Sequence, residues 1–534
     1  MTSVTEGRFT DGEWHRLHPA TPFLRGGLTF VAIIGIFIVN LRDVIIDNLF
    51  GGREGDDGEP LVWLAESGYA GFVVLGIFVL LVGLVVGFYF SWRMHTFRIT
   101  EEVVEVRSGI LFRTNRKARL DRIQGINIQR PFLARIFGAA RLEVNVAGQD
   151  ANVQLSYLGS SAADELRGEI LRLASGTQRA EAEAGTNEQL PLVSGDAATG
   201  GVIEKRVSEL LAPELDPAIA KRESVVTMHL GRLIGSLVLS ETTVMLLVFV
   251  AGVIVTTVLT GELFAVAILL PTFIGLGSFY VSRFTKSLRY SIAGTPDGVR
   301  VGFGLFSTSN ETLPPGRIHS VQVTQPLLWR PAGWWEIRLN RASTSAAKGA
   351  AGQANTTILP VGNLTDVRRV LELVLPGLVD PESIALLESG LTSKGGDDGF
   401  TNSPRRAAVL RWFSWKRTGF VLTPDAVLLR SGAIWRRLVV VPLPRAQGIS
   451  LTQGPLERRL RLASINVHTV AGPVSAKLGA IDSATALQLH SDAAAATIAS
   501  ATNDTTHRWG VAAAQPASAP VPPAPLAYPE DTTS

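Results

Sequence analysis

Residues 108–135 read SGILFRTNRKARLDRIQGINIQRPFLAR, residues 303–330 read FGLFSTSNETLPPGRIHSVQVTQPLLWR, and residues 431–459 read SGAIWRRLVVVPLPRAQGISLTQGPLERR. In each stretch a glycine (Gly109, Gly304, Gly432) lies 13 residues before an arginine (Arg122, Arg317, Arg445). That arginine lies 13 residues before a second one (Arg135, Arg330, Arg458). Two residues after the first arginine stands Gln124, His319 or Gln447. The same spacing in three places, without gaps, means that one structural unit is used three times.

The flanks repeat as well. Upstream come short alternating runs: Phe97 to Thr100 with Val103 to Val106, Tyr290 to Ala293 with Val299 to Val301, and Phe420 to Thr423 with Val427 to Leu429. Period-two alternation closing on a glycine turn reads as a β-hairpin. Further strands follow, such as Arg141 to Val146 and Ser464 to Thr469, and each copy ends in a helical pattern, as at Ala162–Leu173 and Asn363–Leu375. Strands followed by one helix describe a small antiparallel β-domain with the helix packed on its open end.

Outward from the repeats the chain turns apolar. Hydrophobic residues make up 46% of its 534 residues and charged residues 18%, with a mean hydropathy of +0.24. Four stretches approach the roughly 20 apolar residues that a bilayer requires. They run from Leu24 to Leu41, Tyr69 to Phe90, about Leu233 to Leu259, and about Leu263 to Val281, with a tight turn at Thr260–Glu262. The expected fold class is therefore a mixed membrane protein. It has four transmembrane α-helices in two pairs, plus three small antiparallel β-barrel-like domains that each end in a helix.

Basic residues orient the spans. The 51–68 loop holds Glu54, Asp56, Asp57, Glu59 and Glu66 against the single Arg53, whereas the other flanks carry Arg16, Arg93, Arg98, Arg222, Arg232, Arg283 and Lys286. This places the loop outside and both termini in the cytoplasm of a bacterial cell, the chain being a multi-pass protein of the cell membrane. Glu241 lies in the third apolar region; either it is an intramembrane carboxylate, a functional signal, or the span begins just after it. The second reading is the simpler. Pro271 predicts a kink in the fourth span.

The expected division is a cytoplasmic segment 1–23, span pair 24–91, first β-domain 92–173 and linker 174–222. Span pair 223–283, second β-domain 284–380, linker 381–404 and third β-domain 405–495 follow, then an Ala/Pro-rich tail 496–534 that reads as disordered. Residues 391–404 read as a flexible tether for the third domain.

The pattern Arg-Ile-Gln, then Gln or Thr with Pro and Leu before an arginine, then a strand ending in Ala-Gly, resembles the bacterial pleckstrin-homology-like (PH-like) domain. Arg122-Ile123-Gln124, Pro131, Leu133 and Arg135 carry it in copy one, ending at Ala147-Gly148; Arg445, Gln447, Gln453, Pro455, Leu456 and Arg458 carry it in copy three, ending at Ala471-Gly472. Copy two departs from it at His319 and in an inserted stretch, Ser343 to Thr356. Three such domains interleaved with helix pairs resemble the YdbT-like membrane proteins. That resemblance implies a seven-stranded barrel-like domain with a C-terminal helix, and a smaller membrane protein with one PH-like domain as a partner.

No catalytic constellation, cofactor motif or metal-ligand spacing is present, and the absence of cysteine removes thiol chemistry. The chain does not read as an enzyme. Arg122, Arg317 and Arg445 either brace loops, as fork-shaped donors do well, or contact a headgroup or partner. Between Pro404 and Asp482 thirteen Arg and Lys face three Asp and Glu, a net charge of +10. Arg405, Arg406, Arg411, Lys416 and Arg417 interleave there with Trp412, Phe413 and Trp415. Basic residues are drawn to the anionic leaflet at about 1 kcal/mol each and aromatic rings favour the interface. The partners expected are thus anionic membrane lipids, proteins and further copies in an oligomer, not nucleic acid. The reading is a membrane-anchored scaffold or adaptor; the alternative is a transporter or lipid-handling protein using the helix bundle.

Overall fold

Each repeat folds into seven strands, the first only two residues long. Copy one contains β1 (His15–Arg16), β2 (Thr96–Ile99), β3 (Val103–Ser108), β4 (Thr114–Arg119), β5 (Ile123–Arg130), β6 (Ala139–Val146) and β7 (Val153–Gly159). Copy two contains β8 (Val226–Thr227), β9 (Ser291–Thr295), β10 (Gly298–Phe303), β11 (Thr308–Leu313), β12 (Ile318–Gln325), β13 (Trp335–Arg341) and β14 (Thr357–Gly362). Copy three contains β15 (Thr401–Asn402), β16 (Gly419–Leu422), β17 (Ala426–Ser431), β18 (Arg436–Pro442), β19 (Gly448–Thr452), β20 (Leu462–His468) and β21 (Lys477–Asp482). A helix closes each copy: Ser160–Ser175, Leu364–Val374 and Ser483–Thr502. The computed structural model describes residues 11–18, 152–175 and 226–261, most of 79–146, of 269–341 and of 356–502, and a few single positions besides.

The signature glycine earns its place at the hairpin turns. Gly304 and Gly432 have φ of 107° and 80°, the left-handed region that side chains avoid. A Cβ on them would stand 2.0 Å from the Ser307 carbonyl oxygen and 1.9 Å from that of Trp435.

The strands do not close into three separate barrels. The described residues form four antiparallel sheets, two of which cross from one copy into the next. β1–β4 form the first sheet. The second runs β7-β6-β5-β11-β10-β9-β8, the third β14-β13-β12-β18-β17-β16-β15, and the fourth is β19-β20-β21. Copy boundaries in sequence therefore run through the middle of two seven-stranded sheets.

Side-chain pattern explains the second crossing. β17 and β18 read AVLLRS and RRLVVVP, with four apolar residues in succession in each rather than an alternation. Both faces are buried, as such runs require. Ala426, Leu428, Leu438 and Val440 join the core of copy two, while Val427, Leu429, Val439 and Val441 join that of copy three. Copy one keeps a core of its own around Phe97, Ile99, Ile126 and Leu166.

The expectation of four transmembrane helices is corrected. Among the described residues one helix, Glu241–Thr260, is long and apolar enough to cross a membrane. The expected third span is broken, because Leu239 and Ser240 end a short helix (Leu230–Val238) and Ser240 caps the next by accepting the Thr243 backbone N–H. The expected fourth span appears as Leu269–Ser287, whose C-terminal end carries Arg283 and Lys286; residues 262–268 lie outside the described residues. So do the first span and most of the second. A four-span bundle with three separate barrels is replaced by four linked sheets and one qualifying helix.

The tether expected at residues 391–404 is folded. Leu387 and Leu391 of the Pro381–Thr392 helix are buried in the core that Leu438 shares. Asp398 then pairs with the fully buried Arg430 at 2.5 Å, and Arg430 also donates to the Asn402 side chain at 2.6 Å. The expected linker 174–222 lies outside the described residues except at its first two, which end the copy-one helix; the tail lies outside beyond Thr502.

Candidate functional site

Two junctions between copies gather most of the repeat signature. At the first, β11 pairs antiparallel with β5, setting Thr312 opposite Ile126 and Thr308 opposite Arg130. At the second, β18 pairs with β12, setting Val440 opposite Val321 and Arg436 opposite Gln325. The register is the same in both: the residue four after the first signature arginine faces the residue five before the next copy's. The fixed arginine spacing is the trace of this splice.

The two junctions differ in chemistry. The first is polar: Ser309 donates to the Asn127 side-chain oxygen at 2.8 Å, and buried Glu311 forms an ion pair with buried Arg341. Burial pushes the Glu311 carboxyl up, against the pull of Arg341. The second is apolar, with Val321 and Val323 against Leu438 and Val440.

The signature residues lie around these joints. Arg317 reaches back to copy one, its guanidinium donating to the Asp121 carbonyl at 2.9 Å. Arg330 reaches forward to copy three, donating to the Ile434 carbonyl at 2.8 Å and also to that of Ala433. His319 hydrogen-bonds the backbone of Arg445, so these two signature residues meet across the second junction. Burial pulls the His319 pKa down to about 4, with the Arg445 and Arg317 charges acting the same way. Gln124 is buried in β5, and Arg135 is partly buried in the short Phe132–Ile136 helix. Arg122, Gln447 and Arg458 are exposed. They belong to the halves of copies one and three that, among the described residues, pair with no other copy.

A second feature lies where β15 passes to β16. In copies one and two the chain between the first and second strand is the apolar excursion, leaving after β1 or β8 and returning at β2 or β9. In copy three the same excursion is only Ser403–Thr418. Its base is tied alike: the Met228 N–H bonds the Tyr290 carbonyl at 3.1 Å, and the Ser403 N–H bonds the Thr418 carbonyl at 2.8 Å. The basic–aromatic cluster thus stands at the chain position of the long apolar excursions of the other two copies.

Its residues divide by placement. Arg405, Arg411, Trp412, Phe413 and Lys416 are exposed, with the Trp412 and Phe413 rings 3.6 Å apart and Val409 75% exposed beside them. Arg406 is exposed but paired with Asp482. Trp415 packs on a small core with Ala407, Leu462 and Ala480. Arg417, expected at the lipid surface, is instead buried. It donates to five carbonyls, those of Gly390, Leu391, Ser393, Ser431 and Gly432, at 2.7–3.0 Å. Burial lowers its pKa to about 9, leaving it charged at neutral pH. Sequence reading missed Arg430 and Asp398, which look like any surface pair until the fold buries them.

The apolar helix begins among aromatic rings. Glu241 sits in its first turn and accepts the Trp435 indole N–H. Trp334 covers Gly235 of the preceding short helix, where a Cβ would come within 2.5 Å of its ring, and packs edge-on against Trp329. Tyr280 of the Leu269–Ser287 helix bonds Thr243 at 2.7 Å.

The model of the Bacterial PH domain family matches residues 59–174, 244–376 and 391–495. The chain belongs to the bacterial PH domain family. Each match covers one repeat, the third beginning at the packed segment before β15. No curated protein and no solved structure matched the chain.

Proposed function

We propose that this bacterial PH domain protein is a membrane-surface adaptor. Its linked sheets are held at the bilayer of a bacterial cell by the Glu241–Thr260 helix, and copy three lays its Ser403–Thr418 excursion on anionic lipid. One observation carries the reading: copy three presents exposed Arg405, Arg411 and Lys416 with Trp412, Phe413 and Val409 where the other copies send out apolar chain. Tryptophans 329, 334 and 435 around the start of the apolar helix fit the aromatic belt of a membrane interface. Cations at that level gain from the negative leaflet, and aromatic rings from the headgroup region. The partners are lipid and protein rather than a substrate.

The test uses the full chain in nanodiscs, because copy three shares a sheet with copy two. Hydrogen exchange in the 405–416 segment should be slowed in anionic discs relative to neutral ones. Raising salt should remove the difference, since the Debye length is about 8 Å at physiological ionic strength and shorter above it. The Arg405→Gln, Arg411→Gln, Lys416→Gln variant should lose it too. Equal exchange on both lipids refutes the reading.

A further inference from the structure

The repeat joins itself twice within the chain, and among the described residues copy one and copy three each keep one half of the joint at a sheet edge. In β5–β11 and β12–β18 the joining strands are the fifth strand of one copy and the fourth of the next. Among the described residues the fifth strand of copy three, β19, is the edge of a three-stranded sheet. The fourth strand of copy one, β4, is likewise the edge of the sheet β1-β2-β3-β4. Among the described residues nothing pairs with the outer side of either. Open edges offer unpaired backbone N–H and C=O groups to another strand.

We propose that the chain associates head to tail with a second copy of itself, β19 of one chain pairing antiparallel with β4 of the next. The repeated register fixes the alignment: Gly448 faces Ala118, Ile449 Lys117, Ser450 Arg116, Leu451 Asn115 and Thr452 Thr114. The partner is specified by the molecule, because the two internal joints are the same interface already built from this sequence. The contact is heterologous, so it closes a ring or extends a filament according to the rotation per step.

Charge on β4 raises the objection that basic side chains guard an edge. They do not bar this joint. β18 enters its junction with Arg436 and Arg437, set opposite Gln325 and Thr324. Arg436 donates there to the Gln325 side chain at 3.4 Å. The counterparts at the chain ends are Arg113 and Gln453, the same pair of residue types. Arg113 is exposed, and Gln453 uses only its amide nitrogen, donating to the Leu462 carbonyl at 2.8 Å. The basic residues of β4 are drawn to their own copy: Lys117 to Glu105 at 2.6 Å, Arg119 to Asp121 at 3.1 Å and Arg116 to the Asn152 carbonyl at 3.3 Å. Arg122 and Arg458 complete the set. They are the counterparts of Arg317 and Arg330, which bond across the internal joints, and both stand exposed.

The absence of native cysteine makes the test clean. The full chain carrying Arg116→Cys and Ser450→Cys is reconstituted in mild detergent or bilayers and oxidised. The expected result is a ladder of disulfide-linked multimers. Each single variant stays without a ladder, and Ser450→Cys with Thr114→Cys, two residues out of register, links far more slowly. Mass measured against concentration should show the cysteine-free chain assembling beyond the monomer, and Arg122→Ala with Arg458→Ala should weaken assembly at an unchanged melting temperature. A chain that stays monomeric at all concentrations, with the matched pair linking no faster than the mismatched one, overturns the proposal. So does a monomeric chain whose β19 edge is protected only by a different bacterial PH domain protein.

Discussion

Acidification should loosen the second junction through one residue. In the folded chain His319 titrates near 4, held neutral by burial and by the facing charges of Arg317 and Arg445. In the unfolded chain it titrates near 6.5. Above 6.5 both states are neutral and the fold suffers no penalty. Between 6.5 and 4 only the unfolded chain takes the proton, so stability falls as pH falls through this window and the loss is complete near 4. One pKa unit corresponds to about 1.4 kcal/mol, which sets a ceiling of about 3 kcal/mol; partial exposure of the ring brings this to about 1–3 kcal/mol. The perturbation that isolates the effect is His319→Gln, which installs the residue standing at the same place in copies one and three, Gln124 and Gln447. Carboxylates titrate in the same range, so the quantity to read is the difference between the two proteins. Thermal melts of the full chain, with hydrogen exchange of β12 and β18 at matched pH, should show the native protein losing stability relative to the variant from pH 6.5 to 4. Parallel curves would refute a neutral, junction-buried His319.

Other perturbations read the remaining joints. Arg330→Ala removes the donor that reaches the Ala433 and Ile434 carbonyls and should speed exchange in the Gly432–Trp435 turn, at a cost of about 1–3 kcal/mol. Arg417→Ala strands five buried carbonyls and should destabilise copy three by 4 kcal/mol or so, measured by melting; Arg417→Lys should fail to restore it, since an ammonium has three donors and no planar fork. Arg341→Met leaves Glu311 buried beside no cation and should cost about 3–5 kcal/mol at neutral pH, with much of that recovered by adding Glu311→Gln.

The existence of three copies, their hairpins and closing helices was legible because each leaves a local trace: alternation, a turn glycine, an amphipathic run. Sharing of sheets was not read, although β17 and β18 carried its signal. Five successive buried residues from Ala426 to Arg430 and four from Leu438 to Val441 fit a strand covered on both faces, but a neighbour half a repeat away is invisible to a local pattern. β11 hides it further, since TSNETL is buried entirely yet polar at every position but Leu313; its partners, Asn127 and Arg341, come from elsewhere in the chain. The same holds at the candidate site. Arg411 and Arg417 look alike as basic residues beside tryptophan, and only the fold sends one to the surface and the other onto five carbonyls. At the third span hydropathy alone ran from Leu233 to Leu259, while the charge of Glu241 marked where the apolar helix starts, after the break at Leu239–Ser240.

The half-repeat offset changes what a domain is in this chain. A unit cut from the first to the seventh strand of copy three takes β15–β18 away from β12, and with it the partner of Leu438 and Val440. A unit offset by half, from β12 to β18 with its two helices, keeps a whole sheet and its core around Val321, Ile337, Val370 and Leu387. In linked repeats stability is the sum of unit and interface terms, and neighbours must be present for each to hold. The polar first junction and the apolar second then act differently. The second, with valines and leucines on both faces, couples copies two and three through burial. The first depends on Glu311–Arg341 and Ser309–Asn127, whose worth rests on excluding water. Copy one, with a core of its own, is therefore the unit best able to part from the rest, and the first joint is where the array should open.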